Sequence, residues 1–150
     1  MRVWRLCKAK YAPSAFSGEG ARLYGGRWNY PGSPVVYTSE SRSLAILEHR
    51  VHTAEIVPHL VLIPADLPDA TPVTRIPLDA LPVDWNAYPA PEELKQMGTD
   101  WIALAETAAL VVPSAVIPGD QNVLLNPRHP DFQSLHVGQP ETFAYDRRLF

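Results

Sequence analysis

Cysteine is nearly missing from this chain: Cys7 is the only one in 150 residues. A lone thiol closes no internal disulfide and cannot by itself hold a structural zinc. Long apolar runs are missing too, and none approaches the ~20 residues that a membrane span needs. The opening Met-Arg-Val-Trp-Arg-Leu lacks the charged, apolar and small-residue layout of a secretory signal. These absences lead us to expect a soluble protein of the reducing cytoplasm. Positive charge is not in excess, with 13 Lys and Arg against 16 Asp and Glu and a net charge of −3. A broad basic face for gripping nucleic acid is therefore not expected; the densest basic spot is Arg147-Arg148. Neither common phosphate cradle is present, since there is no Gly-x-Gly-x-x-Gly and no P-loop. No Gly-x-Ser-x-Gly elbow surrounds any serine. His49 and His52 are spaced by three, but no His-Glu-x-x-His accompanies them, and no metal site is expected.

Proline is abundant instead, with 16 residues, about twice the ~5% of average usage. That many prolines break long helices and favour short strands joined by shaped loops. Short strands are expected at Val3–Cys7, Pro34–Thr38, His59–Ile63, Val73–Ile76, Ala108–Val112, Ala115–Ile117 and Asn122–Leu125. Lys8–Arg22 reads as a loop. A helix is expected over Ser41–Thr53, capped by Ser39 or Ser41, with Leu44, Leu47 and Val51 at helical spacing. Pro91 and Glu92-Glu93 open another that stops at Gly98, and a further one is expected near Asp100–Ala105. The tail after Pro130 reads as a helical turn and an extended piece near Thr142–Tyr145. The pattern predicts one α+β domain over residues 1–150, its sheet mostly antiparallel and split, with a few short helices.

Some residues are out of place for mere packing. Arg27 follows Gly25-Gly26, where the backbone can turn tightly or approach a ligand. A guanidinium there suits a phosphate through two parallel bonds, or is simply a surface arginine beside a turn. Glu48 lies about 40° from Leu44 and about 60° from Val51 on a helical wheel of ~100° per residue. It borders the apolar stripe, where a carboxylate needs a partner. It is either paired to a structural cation or a catalytic carboxylate in a cleft. Tyr37 and Trp28 offer rings that stack on a flat ligand or pack in the core. Ser114 is a lone hydroxyl within Val-Val-Pro-Ser-Ala-Val-Ile-Pro, suited to bonding a carboxylate or a ligand. Asn126-Pro127 is a turn signal.

Three ordered blocks together resemble the RES-domain family. The first is Gly18-Glu19-Gly20-Ala21-Arg22-Leu23-Tyr24-Gly25-Gly26-Arg27-Trp28-Asn29. The second runs from Tyr37-Thr38-Ser39-Glu40-Ser41 through Ala45 to Glu48. The third is Val112-Pro113-Ser114-Ala115, followed by Asn122-Val123-Leu124-Leu125-Asn126-Pro127-Arg128-His129-Pro130. The arginine, glutamate and serine of the family's name fall on Arg27, Glu48 and Ser114. The family often places acidic residues before the first asparagine; here the stretch is Gly119-Asp120-Gln121.

The resemblance implies an ADP-ribosyltransferase-like fold and the toxin of a bacterial toxin–antitoxin pair. It implies NAD as a substrate rather than a bound cofactor. The implied partner is an antitoxin with an Xre-like helix-turn-helix domain, in an oligomer with the toxin. Under that reading Glu48 stabilises a ribosyl cation, Arg27 anchors the pyrophosphate, and Tyr37 or Trp28 stacks on the nicotinamide. Ser114 orients Glu48 or the ribose, and Asn126 shapes the pocket. Two other readings stand beside it: a transferase that attaches ADP-ribose to a protein, and a non-catalytic partner-binding module.

Overall fold

Alternating apolar side chains lay the strands down, and prolines and turns keep them short. The computed structural model describes residues 1–150. Its strands are β1 (Arg2–Lys8), β2 (Val36–Ser39), β3 (Leu60–Asp66), β4 (Val73–Arg75), β5 (Ala109–Pro113), β6 (Gln121–Leu125), β7 (His136–Val137) and β8 (Glu141–Phe143). The helices are α1 (Glu19–Tyr24), α2 (Arg42–Arg50) and α3 (Glu92–Leu104). The sheet runs β4-β5-β6-β2-β1-β3-β7, and β8 also pairs with β3. All pairings are antiparallel except β4 with β5.

The expected split is real and it is local. β1 meets β3 along its whole length, from Arg2 opposite Asp66 to Lys8 opposite Leu60. It meets β2 only at Trp4 opposite Ser39. The sheet is thus two halves, β4-β5-β6-β2 and β1-β3 with its neighbours, hinged at one residue pair. Away from that pair the halves part, and a groove opens between them.

Period-two alternation gives each half two apolar faces. Val3, Val36, Ala65, Val111, Val123 and Leu125 close one core. Leu110, Val112 and Leu124 point the other way, against Leu94, Trp101 and Ile102 of α3. On that same side of the β1-β3 half, Leu6, Leu60 and Leu62 receive Ala45 and Ile46 of α2. Both long helices therefore cover the side of the sheet where the groove opens. No helix is long and apolar enough to cross a membrane.

Several expectations need correction. Lys8–Arg22 is not a plain loop: it holds a 3-10 turn over Ala9–Ser14 and then α1. Ala115–Ile117 forms no strand. Its first residues follow Ser114, whose hydroxyl accepts from the amides of Val116 and Ile117 at 3.1 and 3.0 Å and folds the chain into a turn. The two helices expected around Gly98 are one continuous α3. Gly98 is not a stop but a point of approach. A Cβ there would lie 1.8 Å from the Trp28 carbonyl oxygen, so only glycine lets α3 press on that loop. The helix expected over Ser41–Thr53 ends at Arg50, and Val51 is exposed. Ser41, rather than Ser39, is its cap, accepting from the Leu44 amide at 3.1 Å. Ser39 is used elsewhere.

Candidate active site

The groove between the halves is a cleft of about 650 Å³. β1 supplies Trp4, Arg5 and Leu6 to it, and β2 supplies Tyr37 and Ser39. α2 contributes Glu48, and the loop after α1 contributes Arg27.

Glu48 is fixed from the β5–β6 side. Ser114 Oγ donates to Glu48 Oε1 at 2.8 Å, and Asn122 Nδ2 donates to the same oxygen at 2.6 Å. Ser39 Oγ in turn donates to Asn122 Oδ1 at 2.7 Å, which sets the amide the right way round. Ser39 and Asn122 can do this because they are register partners on one face of the sheet. The two donors neutralise part of the cost of bringing a carboxylate under the protein surface. Both bonds fall on Oε1, which leaves Oε2 for the cleft.

Arg27 is held as firmly. Both Nη1 hydrogens are spent on carbonyls, of Trp85 at 3.1 Å and Ala87 at 3.0 Å. A guanidinium has five N–H donors. Nε and Nη2 remain, and that edge is the fork that takes two oxygens of one phosphate. Burial pulls the Arg27 pKa below its ordinary value, and the negative charge of Glu48 opposes the change. Tyr37 lines the same cleft. Its hydroxyl donates to Asn29 Oδ1 at 2.6 Å and accepts from the Trp28 amide at 3.0 Å. Burial pushes this phenol well up from its usual pKa, so it stays protonated. A Cβ on Gly26 would lie 2.6 Å from the Tyr37 hydroxyl, so the glycine before Arg27 makes room for that tyrosine.

The model of the RES domain matches residues 2–146. The chain belongs to the RES-domain family. Among relatives of this RES domain is Toxin Res of Photorhabdus laumondii, 40% identical over 153 residues, spanning 99% of this chain and 97% of that one. Another is the Prs ADP-ribosylating toxin of a Sphingobium species, 35% identical, covering 97% of this chain and 94% of that one. The fold is also that of a chain in the crystal structure of the MbcT–MbcA toxin–antitoxin complex of M. tuberculosis, with a TM-score of 0.76. That match is 23% identical and covers 95% of this chain and 84% of that one.

Within this RES domain, the residues singled out in the sequence divide into two groups. Arg27, Tyr37 and Glu48 share one cleft. Ser114 is 1% exposed, is not among the residues lining the cleft, and reaches it through its bond to Glu48. Trp28 also lines the cleft, but it is 2% exposed and its side chain packs in the core cluster with Leu94 and Trp101. Asn126 is buried away from the cleft, where its Oδ1 accepts from the Arg128 amide at 3.0 Å in a turn. Asp120 contributes its backbone carbonyl to the Ser114 amide at 2.9 Å, and its side chain does not line the cleft.

Two residues of the site were not foreseen. Asn122 was visible as the start of a strand and as the first asparagine of the third motif block, without a role, and its role comes from its register with Ser39. Arg5 sits mid-strand in β1, where a charge is costly. Its Nη1 donates to the Tyr37 carbonyl at 2.8 Å, across the gap where β1 and β2 part. Its Nε is buried without a hydrogen-bond partner, and burial lowers its pKa. With Lys95, the two arginines give the cleft three cations against the single anion Glu48. In a chain of net charge −3, this is a local positive funnel for an anionic ligand.

Proposed function

We propose that this RES domain is the toxin of a bacterial toxin–antitoxin pair, and that it splits the nicotinamide–ribose bond of NAD. The observation that carries this reading is the Glu48 carboxylate, tied by Ser114 and Asn122 through one oxygen, in the same cleft as the free fork of Arg27. The names of the relatives support it: two are toxins, and one is called ADP-ribosylating.

The chemistry suits one carboxylate. When the bond from ribose C1′ to the nicotinamide nitrogen breaks, its electron pair leaves with the ring. The ring goes from cationic to neutral, so no general acid is needed, unlike ordinary glycoside hydrolysis with its two carboxyl groups. The ribose is left as an oxocarbenium-like cation. Glu48 Oε2 stabilises that charge and holds the ribose hydroxyls. The Nε and Nη2 of Arg27 grip the pyrophosphate, and the ring of Tyr37 lies against the nicotinamide. Ser114 and Asn122 keep the carboxylate aimed before the substrate arrives, so little reorganisation remains for the transition state.

The test is nicotinamide release from NAD. Glu48→Gln keeps the shape and removes the charge. It is expected to slow release about 100-fold or more, and expression of the variant should no longer arrest growth or lower cellular NAD. Release at the wild-type rate would refute the assignment. Calorimetry with NAD separates this reading from a non-catalytic partner-binding module, which would give neither heat nor product.

A second reading, transfer of ADP-ribose to a protein, is favoured by the name of the Sphingobium relative. It shares the first bond cleavage. Mass spectrometry of cell extract incubated with NAD and the toxin distinguishes a protein adduct from free ADP-ribose or a phosphorolysis product. The partner of the RES domain is then an antitoxin, Xre-like by the family resemblance, that covers the cleft while the cell grows.

A further inference from the structure

His49 follows Glu48 on α2 and lines the same cleft, yet the reading above gives it no task. Its surroundings assign its tautomer by proton counting. The Tyr145 hydroxyl lies 2.7 Å from His49 Nδ1 and 3.1 Å from the carbonyl oxygen of Ile46. A carbonyl only accepts, so both contacts are hydrogen bonds only when the single phenolic proton goes to Ile46. The proton between His49 and Tyr145 must therefore sit on Nδ1, donated to the tyrosine oxygen. In the neutral ring that leaves Nε2 unprotonated, with a lone pair.

Nε2 makes no hydrogen bond inside the protein. It is also not sealed from solvent, because the one buried side-chain nitrogen or oxygen without a partner is Arg5 Nε. An orienting hydrogen bond at one ring nitrogen and an open lone pair at the other is the arrangement of a general base. Tyr145 itself is held by T-shaped contacts with Phe143 and Phe150 from the tail, and its ring stacks on His49 at 5.9 Å. The orientation is thus built into the packing.

We infer that His49 Nε2 is the general base for the acceptor that captures the ribosyl group, and that this acceptor is a hydroxyl-bearing nucleophile, water in the simplest case. The inference rests on the NAD-splitting reading of the cleft and deepens it. Nicotinamide leaves first, with the electron pair of its bond to C1′. The water oxygen then bonds to C1′ while its proton moves to Nε2. The imidazolium later returns that proton to solvent. A phosphate dianion would need no such base, so the inference also favours hydrolysis over phosphorolysis.

The charge state fits the role. Burial, and then the charges of His52 on the same helix and Lys8 at the end of β1, lower the His49 pKa from its ordinary 6.5. The uncharged Tyr145 faces it from the tail, and Glu48 adjoins it in the chain. The base form is present above the lowered pKa and is lost as pH falls through it, so hydrolysis should show an acid limb below pH 6.5.

The experiment compares two outputs of one intermediate. Wild type and His49→Gln are given NAD with isotope-labelled nicotinamide. ADP-ribose formation measures capture by water, and label entering NAD measures return of nicotinamide to the same cation. The ratio of hydrolysis to exchange is expected to fall about 100-fold in His49→Gln, with exchange itself retained. His52→Gln, at the exposed neighbour, removes one of the charges that lower the His49 pKa and is expected to leave the ratio unchanged at pH 8, where His49 is already in its base form. An unaltered ratio in His49→Gln overturns the inference, as does an equal loss of both outputs. Wild type that neither releases nor exchanges nicotinamide sinks the underlying reading instead, and the inference with it. Should His49→Gln not fold, the wild-type profile decides: hydrolysis that stays flat from pH 5 to 8 while exchange proceeds rules the base out.

Discussion

Along β2, β6 and β5, alternate side chains part to opposite sides of the sheet. Val36, Val123, Leu125, Ala109 and Val111 go one way and close an apolar core. Tyr37, Ser39 and Asn122 go the other way, and Ser114 extends that row just past the end of β5. The polar row is not scattered. It lies toward the ends of the strands, beside the single Trp4–Ser39 pairing where the sheet divides. The difference teaches how the site is made. The apolar side supplies rigidity, and the side facing the split carries a chain of hydrogen bonds, Ser39 to Asn122 to Glu48, whose geometry that rigidity preserves.

If the two sides have separate duties, substitutions on them should separate stability from turnover. Leu125→Ala, in the apolar core, should produce the largest change. It is expected to cost about 2–5 kcal/mol of stability, read as a lower urea midpoint. Turnover per folded molecule should stay within about twofold of wild type. A tenfold fall in kcat at full folding would break the comparison, showing that the core side tunes the site directly.

Asn122→Ala sharpens it from the opposite side. The lost bond is to a charged group, a class worth about 1.5–3 kcal/mol. If that preorganisation acts in the transition state, kcat should fall about 10- to 100-fold with KM for NAD little changed. The urea midpoint should move less than in Leu125→Ala. A rise in KM with unaltered kcat would mean that Asn122 binds substrate rather than aiming Glu48. Ser114→Ala is a less clean probe, because it also strands the amides of Val116 and Ile117.

Much of this was legible before any coordinates. Short apolar runs bounded by proline and turn residues predicted β1, β2, β3, β5 and β6 to within a few residues, and runs such as those of β3 and β5 are buried on both faces. The position of Glu48 at the edge of an apolar stripe marked it as a carboxylate in need of partners, and Ser114 proved to be one. What was not legible depended on register and approach. Nothing local says that Asn122 lies opposite Ser39, or that β1 leaves β2 after one pair and lets Arg5 reach the Tyr37 carbonyl. Gly98 read as a helix stop because its reason, the Trp28 backbone, lies 70 residues away in the chain. Trp28 lines the cleft beside Arg27 yet is almost wholly buried in the core, whereas Asn126 belongs to the third motif block but does not line the cleft. Membership of a motif block does not by itself place a side chain in the cleft.

Asn126 offers the smallest and most discriminating test of that last point. It belongs to the same block as Asn122, four positions further along the chain. Asn122 faces the split, whereas Asn126 lies past the end of β6 and turns its Oδ1 back to the Arg128 amide. Removing its side chain orphans one backbone donor in a turn, a loss of about 0.5–1.5 kcal/mol of stability, with no route to Glu48. Asn126→Ala should therefore shift the urea midpoint slightly and leave kcat and KM for NAD where they were. If its kcat falls as far as that of Asn122→Ala, the motif acts as one unit through the β6 backbone, and facing the cleft is not what gives a residue in this block its catalytic weight.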